Sequence, residues 1–141
     1  MKLKTLLTLA ATLAFGFTAA LAAEDDTPLA KEMKAMNKSL RTLKRQVADA
    51  SKKDDNVALI AGIKKSLAAS MKLEPAKTKE VPAAEKAAYL TKFKQQMTEL
   101  GKTYDELEAA IKAGKAEDAN KALEKLSQSK EKGHKDFGAD E

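Results

Sequence analysis

Tyr89-Leu90-Thr91-Lys92-Phe93-Lys94-Gln95-Gln96-Met97-Thr98-Glu99-Leu100-Gly101-Lys102-Thr103-Tyr104-Asp105-Glu106-Leu107-Glu108-Ala109-Ala110-Ile111 is the most regular stretch of the chain. Phe93, Met97, Leu100, Tyr104, Leu107 and Ile111 alternate spacings of four and three, and Tyr89 and Leu90 extend the pattern backwards. At 3.6 residues per turn this draws one narrow apolar seam, the mark of a helix packed in a bundle. Gly114 then stops the helix as a C-terminal cap residue.

Outward from this stretch, the same stagger recurs three more times. Before it, Leu29, Met33, Met36, Leu40, Leu43 and Val47 form a seam that starts where Thr27 can cap and Pro28 can take the first helical position. The polar cluster Ser51 to Asn56 ends that helix, and Asp55 or Asn56 is expected to cap the next. The second helix is expected from about Val57 to Leu73, with Ile60, Ile63, Leu67 and Met71 on its seam despite Gly62. Residues 74–82 hold two prolines and no periodicity, so they predict the longest loop and a site of disorder, with Pro82 opening the third helix. A fourth helix starts near Ala116 and carries Ala119, Leu123 and Leu126, but Lys130 and Gly133 occupy its next seam positions before Phe137 resumes. Short connections favour antiparallel neighbours, so the fold class is all-α, an antiparallel up-down-up-down four-helix bundle.

Length and charge bound the rest. With 141 residues, a third of them charged, the chain is one domain at most. Lys2 and Lys4 precede an apolar run from Leu6 to Leu21, and Ala20-Leu21-Ala22 places small residues where a signal peptidase reads. Residues 1–22 are therefore expected to be a secretory signal, and 23–141 the mature domain with no membrane span. Losing 1–22 removes two lysines and no acid, taking the formal net charge from +5 to +3. Lysines interleave with acids as on solvated helix faces, so nucleic acid is not an expected partner. No cysteine is present, which excludes disulfides, thiolate metal sites and covalent haem attachment.

In the expected bundle one end gathers Met33, Met36, Leu67, Met71, Tyr89, Phe93, Met97, His134 and Phe137, while the other holds an ordinary aliphatic core around Leu43, Val47, Ile60, Leu107, Ile111 and Leu123. A thioether and a neutral imidazole at one level of a bundle match one axial pair used for haem iron. Each residue also has a plainer reading: imidazolium suits a helix C-terminus, and methionine fills irregular core gaps. The residues alone thus leave three readings open. One is a haem site; another is a haem-free periplasmic helical chaperone or stress-response binder using a methionine-rich apolar surface. The third is a tail metal site of His134, Asp136, Asp140 and Glu141.

Glu32-Met33-Lys34-Ala35-Met36-Asn37-Lys38-Ser39-Leu40 resembles the first-helix ligand segment of the cytochrome b562 family, and Leu126 through His134-Lys135-Asp136-Phe137 resembles its last-helix ligand segment. From Phe93 to Phe137 the likeness runs without gaps, Ala113-Gly114-Lys115 included, and it covers essentially the whole mature chain. That family is itself a stock example of the up-down-up-down bundle, so the resemblance carries the topology too. It implies one non-covalent haem b with Met33 and His134 as axial ligands and Met36, Phe93 and Met97 lining the ring. With both axial positions taken by protein, it implies a monomeric periplasmic electron carrier and not an enzyme. An acidic redox partner would be steered by Lys31, Lys34, Lys130, Lys132 and Lys135. The chain departs from the family in having Lys130 and Gly138 where arginine is usual, and Gly133 where an aromatic often precedes the histidine.

Overall fold

The computed structural model describes residues 27–138, so the expected signal segment 1–22 and the tail residues Asp140 and Glu141 lie outside it. Four α-helices follow one another: α1 Pro28–Gln46, α2 Lys53–Ser70, α3 Lys86–Lys112 and α4 Ala116–Phe137. Short 3-10 turns at Ala50–Lys52 and Ala76–Lys79 join the first three. Among the described residues there is no strand. Each helix packs on its successor, giving an antiparallel four-helix bundle, whereas α1 and α4 approach each other far more sparingly. No helix among the described residues is long and apolar enough to cross a membrane.

Local signals account for the best-defined ends. The Thr27 hydroxyl accepts from the Ala30 N–H at 3.1 Å with Pro28 in the first turn, as expected. At the end of α3, Gly114 adopts φ +69, a left-handed conformation that favours glycine. Its N–H reaches the Ile111 carbonyl at 3.1 Å, and the Lys115 N–H reaches that of Ala110 at 2.9 Å, satisfying carbonyls the helix leaves open.

Three boundary expectations need correction. Neither Asp55 nor Asn56 caps α2. Instead Asp49 caps the preceding 3-10 turn, its carboxylate accepting from the Ser51 N–H at 2.9 Å and hydroxyl at 2.6 Å, and that turn runs straight into α2 at Lys53. Asn56 is fully buried and clasps α1: Gln46 Nε2 donates to Asn56 Oδ1 at 2.8 Å. Pro82 does not begin α3. It heads a turn in which the Glu85 and Lys86 N–H groups donate to its carbonyl, and the helix proper starts at Lys86. The stretch 74–82 is likewise not structureless: the Thr78 N–H donates to the Pro75 carbonyl at 3.0 Å, and Pro75 and Thr78 are buried.

The core runs the length of the bundle through Leu43, Ile60, Ile63, Phe93, Leu107 and Leu126, all nearly inaccessible. Midway, Lys64 of α2 lies 2.5 Å from both Asp105 and Glu108 of α3, and Lys112 also pairs with Glu108. These hydrogen bonds raise the Lys64 ammonium above its ordinary value and lower the Glu108 carboxyl, Lys112 acting first on the latter. Burial raises the Tyr104 phenol farther along α3.

Candidate functional site

The end of the bundle formed by the start of α1, the end of α2, the start of α3 and the end of α4 collects the expected site residues unequally. Met36, Phe93 and Met97 are buried, with 5%, 2% and 6% of their surface exposed. Met33 is half-buried at the margin of the same core, as are Met71 and Tyr89. His134 is exposed, one residue from the inward-facing seam of α4.

Phe137 closes this end. Its ring meets Tyr89 edge-on at 5.2 Å between centroids and Phe93 at 5.3 Å, and Lys92 Nζ stands 5.8 Å from its centre. The shortage of core side chains on α4 is resolved differently from expectation. Gly133 faces α3, where an added Cβ would come within 3.0 Å of Gln96 Nε2, and Gln96 reaches past it to donate to the Ser129 carbonyl at 3.2 Å. Glycine here permits close approach of α3, so this seam position of α4 is covered by the Gln96 side chain.

The other flank of α4 looks towards α1, as one cross-link establishes: Lys44 Nζ donates to Ser127 Oγ at 2.6 Å. Helix arithmetic carries that contact to the site. Met33 precedes Lys44 by eleven residues, about three turns, and His134 follows Ser127 by seven, about two turns, so each lies within roughly 20° of the face that makes the contact. Along antiparallel axes the two displacements run the same way, roughly 16 Å on α1 and 10 Å on α4. Met33 and His134 therefore lie near the faces of α1 and α4 that carry the Lys44–Ser127 contact, displaced from it towards the same end of the bundle.

Polar atoms are also buried on the turn at 76–79, the start of α3 and the end of α4. Thr78 Oγ1, Tyr89 OH and Asp136 Oδ2 are buried without a hydrogen-bond partner, although Asp136 Oδ2 forms an ion pair with Lys92 at 3.2 Å. Burial raises the Tyr89 phenol, and the charges of Glu80 and Asp136 add to the shift. Such unpaired atoms are rare in a finished core. As a donor set, one thioether at the margin, one exposed imidazole and the buried apolar side chains of Met36, Phe93 and Met97 suit a flat, largely apolar ring held by its metal. Two surface grooves lie elsewhere, one of about 480 Å³ lined by Ala109, Ala110, Ala113 and Ala122 at the opposite end and one of about 260 Å³ on the outer face of α3. Among the described residues no group of three or more His, Asp or Glu residues is placed to hold a metal ion, and two members of the expected tail site are outside that range.

Lys31, Lys34, Lys130, Lys132 and Lys135 are all exposed. Gln96 and Thr78 escaped the sequence reading because neither lies on an apolar period, whereas Asp136, read there as a candidate tail ligand, pairs with Lys92. Compared with known proteins, residues 28–137 match a family model described as Cytochrome b562. No curated protein and no solved structure matches the chain.

Proposed function

Because the chain belongs to the cytochrome b562 family of haem-binding electron-transfer cytochromes, we propose that it holds one non-covalent haem b between α1 and α4 and passes single electrons in the periplasm. The observation that carries this reading is the Lys44–Ser127 contact, whose register supports Met33 and His134 as opposed ligands on α1 and α4. Met33 would supply its thioether and His134 a ring nitrogen to hold the iron, and with two protein ligands no place would be left for oxygen or a substrate. When bound, the haem supplies a one-electron Fe(III)/Fe(II) couple, whose potential Met/His ligation tends to raise. Met36, Phe93 and Met97, all buried, would exclude water from the ring and keep its surroundings apolar. The exposure of His134 keeps that ligand at the surface, where a partner can approach closely. Export rests on Lys2, Lys4 and the apolar run after them, which mark a signal segment.

The haem-free alternative calls for an exposed methionine surface. Met36 and Met97 are buried, which counts against it. The test is titration of the signal-free protein with haemin, with oxidised and reduced spectra. A six-coordinate low-spin spectrum lost in both Met33→Ala and His134→Ala supports the reading; no Soret change, or a spectrum indifferent to Met33→Ala, refutes it. Loss of the sixth ligand in Met36→Ala alone would move the ligand to the next inward methionine of α1.

A further inference from the structure

Helix α1 departs from the charge habit of the other three. In Pro28–Gln46 six cations, Lys31, Lys34, Lys38, Arg41, Lys44 and Arg45, face a single acid, Glu32. Four of them, Lys34, Lys38, Arg41 and Arg45, follow spacings of four, three and four, so they form one stripe along about three turns, and all four are exposed. Glu32 lies on the opposite flank, towards α2, where Gln46 meets Asn56. Like charges so spaced repel and weaken a helix. Elsewhere the chain does the reverse: Glu108 with Lys112 and Glu117 with Lys121 are opposite charges at i, i+4. Among the described residues no carboxylate pairs with Lys38, Arg41 or Arg45, and the last donates only to Thr42 Oγ1 at 3.3 Å. The stripe borders the seam, since Lys34 is the next residue after Met33, about 100° around the axis. On the α4 side of the seam Glu131 interrupts Lys130 and Lys135, so the concentrated positive field belongs to α1.

We infer that the α1 stripe Lys34, Lys38, Arg41 and Arg45 is the docking surface for an acidic redox protein, seated there so that one electron crosses to or from the adjoining site with no bond made or broken. This rests on the haem reading above and narrows the partner surface from a ring of lysines at both helices to one flank of α1. Charge complementarity selects the partner: a cationic row in which Lys38, Arg41 and Arg45 face no carboxylate among the described residues raises the local concentration of an acidic surface and speeds its arrival, and salt screens the effect.

The test compares two variants with the same change in net charge, Lys38→Glu/Arg41→Glu on the stripe and Lys65→Glu/Lys94→Glu on the exposed faces of α2 and α3. On the apo protein, poly-L-glutamate is titrated and backbone amide shifts are followed; on the haemin-loaded protein, first reduced to the Fe(II) form with dithionite and freed of excess reductant, its one-electron oxidation by hexacyanoferrate(III) is timed at low and high ionic strength. The expected result is shifts concentrated on α1 and an oxidation rate that the α1 variant lowers at least about tenfold at low salt, the control variant leaving both nearly unchanged. Equal effects of the two variants mean that net charge alone steers, and no effect of either means that the stripe is idle; both overturn the surface. Preference for phosphatidylglycerol vesicles over poly-L-glutamate overturns the acidic-protein assignment in favour of a lipid face. A protein that takes up no haemin overturns the redox role, while the amide shifts still decide whether the stripe binds an acidic chain.

Discussion

Phe137→Ala probes the link between packing and the proposed ligand most directly. Between Leu126 and Phe137 no side chain of α4 is buried, so Phe137 is the one buried apolar side chain that fastens the last three turns, beside the polar contacts of Ser127, Ser129 and Asp136. Truncating a buried phenylalanine costs about 3–5 kcal/mol, and the two edge-on ring contacts with Tyr89 and Phe93 account for roughly 0.5–1.5 kcal/mol each within that loss. The released segment Ser127–Phe137 is too short to persist as an isolated helix, and Gly133 weakens it by about 1 kcal/mol more than alanine would. The loss should therefore appear as local fraying before global unfolding. Native-state hydrogen exchange reads it: a fall of about 3 kcal/mol in opening free energy shortens exchange at Lys130–Asp136 roughly a hundredfold, with amides around Leu123 and Leu126 much less affected. The denaturant midpoint should drop by less than a full core truncation implies, and Phe137→Leu should restore most of the protection. Since His134 rides on this segment, haemin affinity should fall with it. Uniform loss of protection along α4 would refute the reasoning, because it would mean that Phe137 is one contact among many and not the chief apolar anchor of the last turns.

Three further outcomes follow from particular side chains. Gly62 is exposed in mid-helix with nothing within 4 Å of an added Cβ, so Gly62→Ala should stabilise by about 0.5–1 kcal/mol, and a lower melting midpoint would contradict it. Asn56→Ala removes the buried clasp on Gln46 and should cost about 1–3 kcal/mol in urea unfolding; a double-mutant cycle with Gln46→Ala that shows no coupling would mean the clasp is not made. The folded Glu108 pKa lies below its ordinary 4.5, so its contribution is present above that value and is lost as pH falls through the folded pKa. The folded Lys64 pKa lies above 10.5, so its contribution is present below that value and is lost as pH rises through the folded pKa. Unfolding free energy against pH should show both limbs, and Glu108→Gln should flatten the acid one; an unchanged acid slope would remove Glu108 from the network.

Signals that act within one turn were legible in the chain. Thr27-Pro28 starts α1 and Gly114 ends α3 as read, because a cap or a left-handed glycine needs only its own neighbours. Asn56 and the stretch 74–82 misled for the complementary reason. A polar side chain before an apolar run is suited equally to capping and to bridging, and two prolines are suited equally to a loose loop and to a tight turn over a core. Only the partner, Gln46 in one case and the start of α3 in the other, makes the choice.

The sequence by itself determined four helices, their antiparallel order and the gathering of Met33, Met36, Phe93, Met97 and His134 at one end, since a three-four period fixes one apolar stripe per helix and short connections fix the order of the stripes. Tertiary structure decided which way each stripe's edges turn. Gly133 and His134 are adjacent in the chain, yet about 100° separates neighbours on a helix, and the bundle sends the first against Gln96 of α3 and leaves the second exposed on the flank that Ser127 shares with Lys44. That rotation depends on contacts between α1, α3 and α4 that no local pattern encodes, which is why candidate residues could be named from the sequence and the flanks they occupy could not.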